Sequence, residues 1–278
     1  MYPFRHAVNV PPVKFTRIAA WAGLFVVLLG VGGAAHADWR EGLSDPSPGP
    51  FPALRPVRLA YQCGWSGLSA GEITAQFVRP EDDVSELDAT ASTTGLARAL
   101  WRLDATHDAR GELATLRPLT VRQKEIYRAQ SIRTDLNFDG TGVSHERVST
   151  NDKQPARRKH YNCPDLHDLQ TAFLYVRSQN LEPGRSYQLM VYPGSNAYLA
   201  TVDVLGRETI KVKAGSYPAI KLDLHLRKVN GEGKLEPHGK FKRATCWISD
   251  DANRLPLRIN AQIFVGSVWV ELNKVEWL

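Results

Sequence analysis

Alternation of apolar and polar positions dominates the chain. Ile220, Leu222, Leu224 and Leu226 share one side of a period-two pattern, with Lys221, Asp223, His225 and Arg227 on the other. That period marks a strand with one buried face. It recurs in Ile132, Thr134, Leu136 and Phe138, in Leu257, Ile259, Ala261 and Ile263, and in Val268, Val270 and Leu272. Turn-forming residues separate the runs: Asp139-Gly140, Pro193-Gly194, Ala214-Gly215, Asn230-Gly231 and Asp250 to Asn253. Gly64, Gly67 and Gly71 lie between two strand-like runs. They lack the lysine and following helix of a phosphate loop, so they read as a hairpin turn.

One segment breaks the alternation. Leu166, Leu169, Phe173 and Val176 follow helical spacing. Asp165 is expected to cap the helix, with Asp168 in its first turn and Arg177 in its last, where the dipole favours a cation. Pro183-Gly184 ends the connection. The expected fold is therefore mainly β: a large curved antiparallel sheet or barrel of about 12–14 strands, with one α-helix between its two halves. The helix is expected to bury its stripe inside the curve.

The ends of the chain change this picture. Arg5, Lys14 and Arg17 precede an apolar run from Ile18 to Val31, and Ala35-His36-Ala37 follows. This is the layout of a signal peptide cleaved after Ala37, which sends the remainder to the periplasm. The alternative is an N-terminal membrane anchor facing the same compartment. No later segment is apolar enough to span a bilayer. Residues 38–56 carry five prolines and read as a linker, extended over the surface or disordered. Residues 57–278 then form a single β-rich domain. Without residues 1–37, 32 Lys and Arg face 29 Asp and Glu, a net of +3 that does not argue for nucleic acid. Cys63, Cys163 and Cys246 allow at most one internal disulfide, for which Cys63–Cys163 is the favoured pairing, or none.

Several stretches together carry a resemblance. They are GLSAGEITAQF (residues 67–77), LRPL (116–119), FLYVR (173–177) with LEPGRSY, LGRETIKVKAGSYPAIKL (205–222), WISDDANRLPLRI (247–259) and VGSVWVEL (265–272). In order and spacing this resembles the bacterial exported family called domain of unknown function 3108, over roughly residues 57–276. The resemblance implies an exported, mostly β protein of unassigned activity and brings no catalytic motif. The family often has a serine in the first helical turn, where this chain has Leu169 and Gln170. A curved sheet with a helix in its mouth is similar, at the level of fold alone, to periplasmic lipoprotein carriers.

Candidate chemistry is sparse. His160, Cys163 and His167 are metal-ligand types, but H-x2-C-x3-H matches no strong zinc or copper signature, and a helix start with His167 facing solvent accounts for them. No G-x-S-x-G elbow is present. His107-Asp108, His145-Glu146 and His167-Asp168 are sequence neighbours, which on a strand point to opposite faces, and the histidines are expected mostly on solvated ones. A hydrolase would need a serine and a histidine meeting in a cleft. Arg157-Arg158-Lys159-His160 reads as a basic loop that could attract anionic head groups. Trp65, Trp101, Trp247, Trp269 and Trp277 lie in strand-like segments, and Phe173 and Tyr175 on the helix. Of these, Phe173, Tyr175, Trp247 and Trp269 are the candidates to line an apolar cavity. The expectation is a non-enzymatic, monomeric envelope protein without cofactor or nucleic-acid partner, binding a lipid or other apolar ligand. The alternatives are a surface module for an envelope protein or glycan, and a hydrolase with a non-standard site.

Overall fold

The computed structural model describes residues 38–151, 156–239, 241–264 and 266–278. The expected signal segment and its cleavage point at Ala37 lie outside them. The first half of the domain is a meander of eight strands: β1 (Val57–Trp65), β2 (Leu68–Glu81), β3 (Val84–Thr93), β4 (Leu103–Glu112), β5 (Pro118–Tyr127), β6 (Ser131–Phe138), β7 (Gly142–Ser149) and β8 (Arg157–Asn162). A short helix, α1 (Gly95–Leu100), interrupts it between β3 and β4. Then come the two-residue β9 (Leu166–His167) and the main helix α2 (Leu169–Ser178). The second half holds β10 (Ser186–Val191), β11 (Tyr198–Val212), β12 (Gly215–Val229), β13 (Leu235–Pro237), β14 (Phe241–Ser249), β15 (Pro256–Ile263) and β16 (Ser267–Trp277).

These strands make one sheet of 16 among the described residues. Its order runs from β8 back to β1, crosses to β16, and continues through β15, β14, β12, β11 and β10 to β9, with β13 off the path beside β12. Neighbours are antiparallel except β9 with β10. The mainly β architecture is as expected, with more strands than anticipated and a second helix. The sheet is not closed by hydrogen bonds. Yet Asn162 ends one edge strand and Leu166 opens the other, with only three residues between them. A connection that short can join opposite edges only if the sheet curls round on itself. Helix α2 fits this curl, because it packs both against β4 and against β9 and β10, which lie far from β4 in the strand order.

The hairpins form where the turn chemistry predicts. Ser66 and Gly67 both take positive φ between β1 and β2, the geometry of a tight two-residue hairpin. Gly140 does the same between β6 and β7. The inner faces make two apolar cores. The larger gathers Val57, Leu59, Leu174, Ile220, Leu257 and Leu272; the smaller gathers Val121, Leu136, Val143, Met190 and Leu199.

The proline-rich stretch is extended, and it is pinned. Ser44 exchanges hydrogen bonds with Gln188, Gly49 N–H donates to Ser178 Oγ (2.9 Å), and Phe51 N–H donates to the Ser178 carbonyl (3.0 Å). Leu54 is buried in the larger core. Asp38–Leu278 therefore behaves as one compact unit, with residues 38–56 strapped across the C-terminal end of α2.

Candidate functional site

Helix α2 begins at Asp168, whose Oδ1 accepts from Thr171 N–H (2.8 Å) while Thr171 Oγ1 accepts from Asp168 N–H (3.2 Å). This reciprocal pair satisfies helix-end donors that would otherwise be orphaned. The cap is thus Asp168 and not Asp165, which sits at φ 55° in the preceding turn. Leu166 belongs to β9 and not to the helical stripe.

The helix has two distinct faces. Gln170, Thr171, Leu174, Tyr175, Val176, Arg177 and Ser178 are buried. Leu169, Ala172, Phe173 and Val176, spaced i, i+3, i+4, i+7, line a groove of about 300 Å³; Val176 belongs to the larger core, Ala172 and Phe173 pack against it, and Leu169 is exposed. The opposite wall is the inner face of the second half: Leu189 and Val191 of β10, Ala200 and Val202 of β11, Leu222, Leu224 and Leu226 of β12, with Cys246, Ile248 and Ile259 beyond. Leu169 is 51% exposed and Leu224 and Leu226 only partly buried, so the apolar stripe does not close on the sheet. The volume lies at the lower end of the range for ligand pockets, about 300–1,000 Å³.

Polar atoms are few along this groove. The Cys246 thiol is pushed up to about 12 by burial, which leaves it protonated and inert as a nucleophile. Arg177 is 1% exposed; its Nη atoms donate to the carbonyls of Pro52 (2.7 Å) and Asn253 (3.0 Å), and its Nε has no partner. Burial, with Arg254 close by, lowers Arg177 to about 10. Both guanidinium groups lie over the Phe51 ring.

Of the four aromatic candidates, two border the groove. Phe173 supplies a wall. Trp247 flanks it, with its indole N–H donating to Glu208 Oε1 (2.6 Å) and Lys221 Nζ over its ring (5.5 Å). Tyr175 lies on the buried face of α2 and donates to the Asp45 carbonyl (2.8 Å), holding the strap. Trp269 lies apart, in a polar surface depression with Arg243, Arg258 and Glu271. Apart from Tyr198, which sequence reasoning missed, the remaining walls are mostly aliphatic, and an aliphatic residue on an alternating strand carries no sign of whether its inner face is covered.

The histidines reverse an expectation. His145 and His167 are buried at 3% and 5% exposure, and His107 is half-buried, all on the inner side of the sheet. Gln123 Nε2 donates to His107 Nδ1 (3.1 Å) and to the Pro193 carbonyl (2.9 Å), which places the imidazole proton on Nε2. His167 Nδ1 lies 3.3 Å from Thr171 Oγ1 and His145 Nδ1 3.4 Å from the Tyr192 hydroxyl. Burial holds all three below the usual histidine range, His167 at about 4. Asp168, fully enclosed, is raised by burial. The ring atoms His107 Nε2 and His145 Nε2, Asp168 Oδ2 and the Gln170 amide lack hydrogen-bond partners.

The metal-ligand types do not converge. His160 sits exposed on β8 with Ser144 Oγ 3.1 Å from its Nδ1, while His167 is buried on β9 behind Thr171. Among the described residues no group of three or more His, Cys, Asp or Glu side chains is placed to hold a metal ion. The favoured Cys63–Cys163 bridge is also corrected. All three cysteines are free thiols; Cys63 is on β1 and Cys163 follows β8, seven strands away along the sheet, with its thiol donating to the Pro164 carbonyl. The Ser144–His160 pair faces solvent on β7 and the edge strand β8, so it is not the cleft dyad a hydrolase needs. The basic run is strand β8 itself rather than a loop.

Among the described residues no helix is long and apolar enough to cross a membrane. The family model described as "Protein of unknown function (DUF3108)" matches residues 60–273. No curated protein matches the chain in sequence. Among solved structures, a β-barrel-like protein of domain of unknown function DUF1849 from Brucella abortus is similar at 10% identity and TM-score 0.58, covering 81% of this chain and 99% of that one. A Bacteroides fragilis protein with a YmcC-like fold, described provisionally as exported, aligns at 8% identity and TM-score 0.36 over 82% of this chain and 99% of its own. A protein described provisionally as a lipoprotein, from Parabacteroides distasonis, aligns at 10% and 0.33 over 84% and 100%. The first likeness is one of fold; the other two carry no weight.

Proposed function

We propose that this chain, which belongs to the DUF3108 family of proteins of unknown function, is a non-enzymatic, exported binding protein of the periplasm that holds an acyl chain or similar apolar ligand between α2 and the inner face of β10–β15. The observation that carries the reading is the apolar stripe of α2. Four apolar side chains at helical spacing line a cavity that the core around Val176, Ala172 and Phe173 leaves unfilled. Water gains nothing from such a lining, and an alkyl chain gains burial at about 25 cal/mol per Å². The inert Cys246 and the solvent-facing Ser144–His160 pair favour binding over catalysis.

The test is displacement of a fluorescent fatty acid, cis-parinaric acid, from residues 38–278. Saturable binding with a single class of site is expected. Ala172→Trp, which fills the groove from the helix side, is expected to weaken it about tenfold or more, with thermal unfolding little changed. Binding that is absent in the parent, or untouched by both Ala172→Trp and Leu224→Trp, would overturn the reading.

A further inference from the structure

The antiparallel order puts every second connection at the same end of the sheet. The β1–β2 turn, the α1 connection, the β5–β6 turn and the β15–β16 turn all lie there. This end exposes large apolar side chains. Leu96 and Leu100 of α1 are each 76% exposed, Phe264 74%, Leu68 68% and Trp101 58%. No other described residue covers them, although the backbone beneath is firmly held. Thr94 N–H donates to the Ala70 carbonyl (2.9 Å), Arg128 donates to the Ala99 carbonyl (2.6 Å), and Arg98 grips Asp104 through both Nη atoms (2.7 and 3.0 Å). Trp101 lies tilted beside Tyr127, ring centres 6.2 Å apart. The apolar side chains are thus presented outward by a fixed scaffold.

Charge tells what fits. Those four adjoining connections carry Arg98, Arg102 and Arg128 and no acidic residue among the described positions, so that even with Asp104 counted this arc of the end is +2; the β12–β14 connection, at the same end, adds Lys234 against Glu232 and Glu236. The connections at the opposite end carry Asp82, Asp83, Asp139, Asp165, Asp250 and Asp251 against Arg117, Lys213 and Arg254. Leucine and tryptophan interleaved with arginine is the composition of a surface that sits in the head-group layer of an anionic bilayer. We infer that this end of the sheet docks on an anionic lipid surface, with Leu68, Leu96, Leu100, Trp101 and Phe264 entering the interface and Arg102 and Arg128 meeting phosphates. The docking rests on residues other than those of the groove and stands or falls separately from it. The geometry would bring the two together. Tyr198 and Leu226 line the groove from the N-terminal end of β11 and the C-terminal half of β12, the same end of the sheet as α1.

The experiment is flotation of residues 38–278 with vesicles of phosphatidylcholine containing 30% phosphatidylglycerol and with phosphatidylcholine alone. These residues are used because they hold every described core position and leave out the apolar N-terminal run. Co-flotation with the anionic vesicles is expected, and about tenfold less with the neutral ones. Leu100→Asp and, in a separate turn, Phe264→Asp are each expected to reduce anionic-vesicle binding about tenfold, leaving cis-parinaric acid binding and thermal unfolding unchanged. Failure of the parent to float, equal flotation with both vesicles, or flotation indifferent to both substitutions would overturn the proposal.

Discussion

Asp168 and the histidines around it set the acid response of the protein. His167 is held neutral at about 4, and His107 and His145 are also lowered by burial. In the unfolded chain each regains the ordinary value near 6.5. The unfolded state therefore binds more protons below that value, and stability is lost as pH falls through 6.5 toward 4. His167 alone would cost about 1 kcal/mol by pH 5.5. Asp168 acts in the opposite sense. Its folded value is raised by burial, so it weakens the fold at neutral pH and that penalty lifts as the pH drops. Urea unfolding at pH 7.5, 6.5, 5.5 and 4.5 should show a falling midpoint. Asp168→Asn keeps an acceptor for Thr171 N–H and removes the ionisable group. It should raise the midpoint at pH 7.5 and steepen the loss on acidification, because His107 also loses the carboxylate that supports its charge. A midpoint independent of pH would show that these histidines are not buried neutral.

At the scale of the element, α2 depends on the strap. Tyr175 and Arg177 give their polar ends to Asp45 and Pro52, and Ser178 receives Gly49 and Phe51. A chain beginning at Val57 would bare these groups together with the Leu54 site, and should unfold about 3–5 kcal/mol more easily than one beginning at Asp38. Equal urea midpoints would make residues 38–56 a mere tether. Proline spacing identified this segment as extended and could not say what it lies on, since its anchors on α2 are more than 100 positions away. The same limit explains the helix. Periodicity at Leu169, Phe173 and Val176 located α2 within a few residues, because local spacing makes a helix. It assigned the stripe to the core: Val176 is there and Phe173 packs against it, while Leu169 is exposed beside the groove and Leu166 lies on β9. Which face is covered depends on the curl of the sheet. The inward turn of His107 and His145 was hidden for the same reason: alternation defines two faces and leaves their sides unnamed. Phe173 and Trp247 could be picked out as large aromatics; Leu222, Leu224 and Leu226 looked like any strand face.

For the whole molecule, the open question is how an unclosed 16-stranded sheet avoids pairing with another copy. The two edges are protected differently. One is β9, only two residues long and packed against α2. The other is β8, whose first four residues, Arg157 to His160, are all exposed, with Arg158 bonded to Glu146 of β7 (3.2 Å). A row of cations along an edge repels an identical row approaching antiparallel, and long charged side chains cost entropy to immobilise in a new ladder. The basic run is thus explained as an edge guard, without calling on a ligand. Replacing Arg158 with Thr and Lys159 with Val would leave β8 a strand of higher β-propensity with its outer hydrogen-bonding groups unguarded. The doubly substituted protein should associate as its concentration rises, read by light scattering as a weight-average mass at least about twice that of the parent. The parent should remain a monomer under the same conditions. Were the variant equally monomeric, closure of the curl by the Cys163–Asp165 connection, rather than charge, would be what shields the edge.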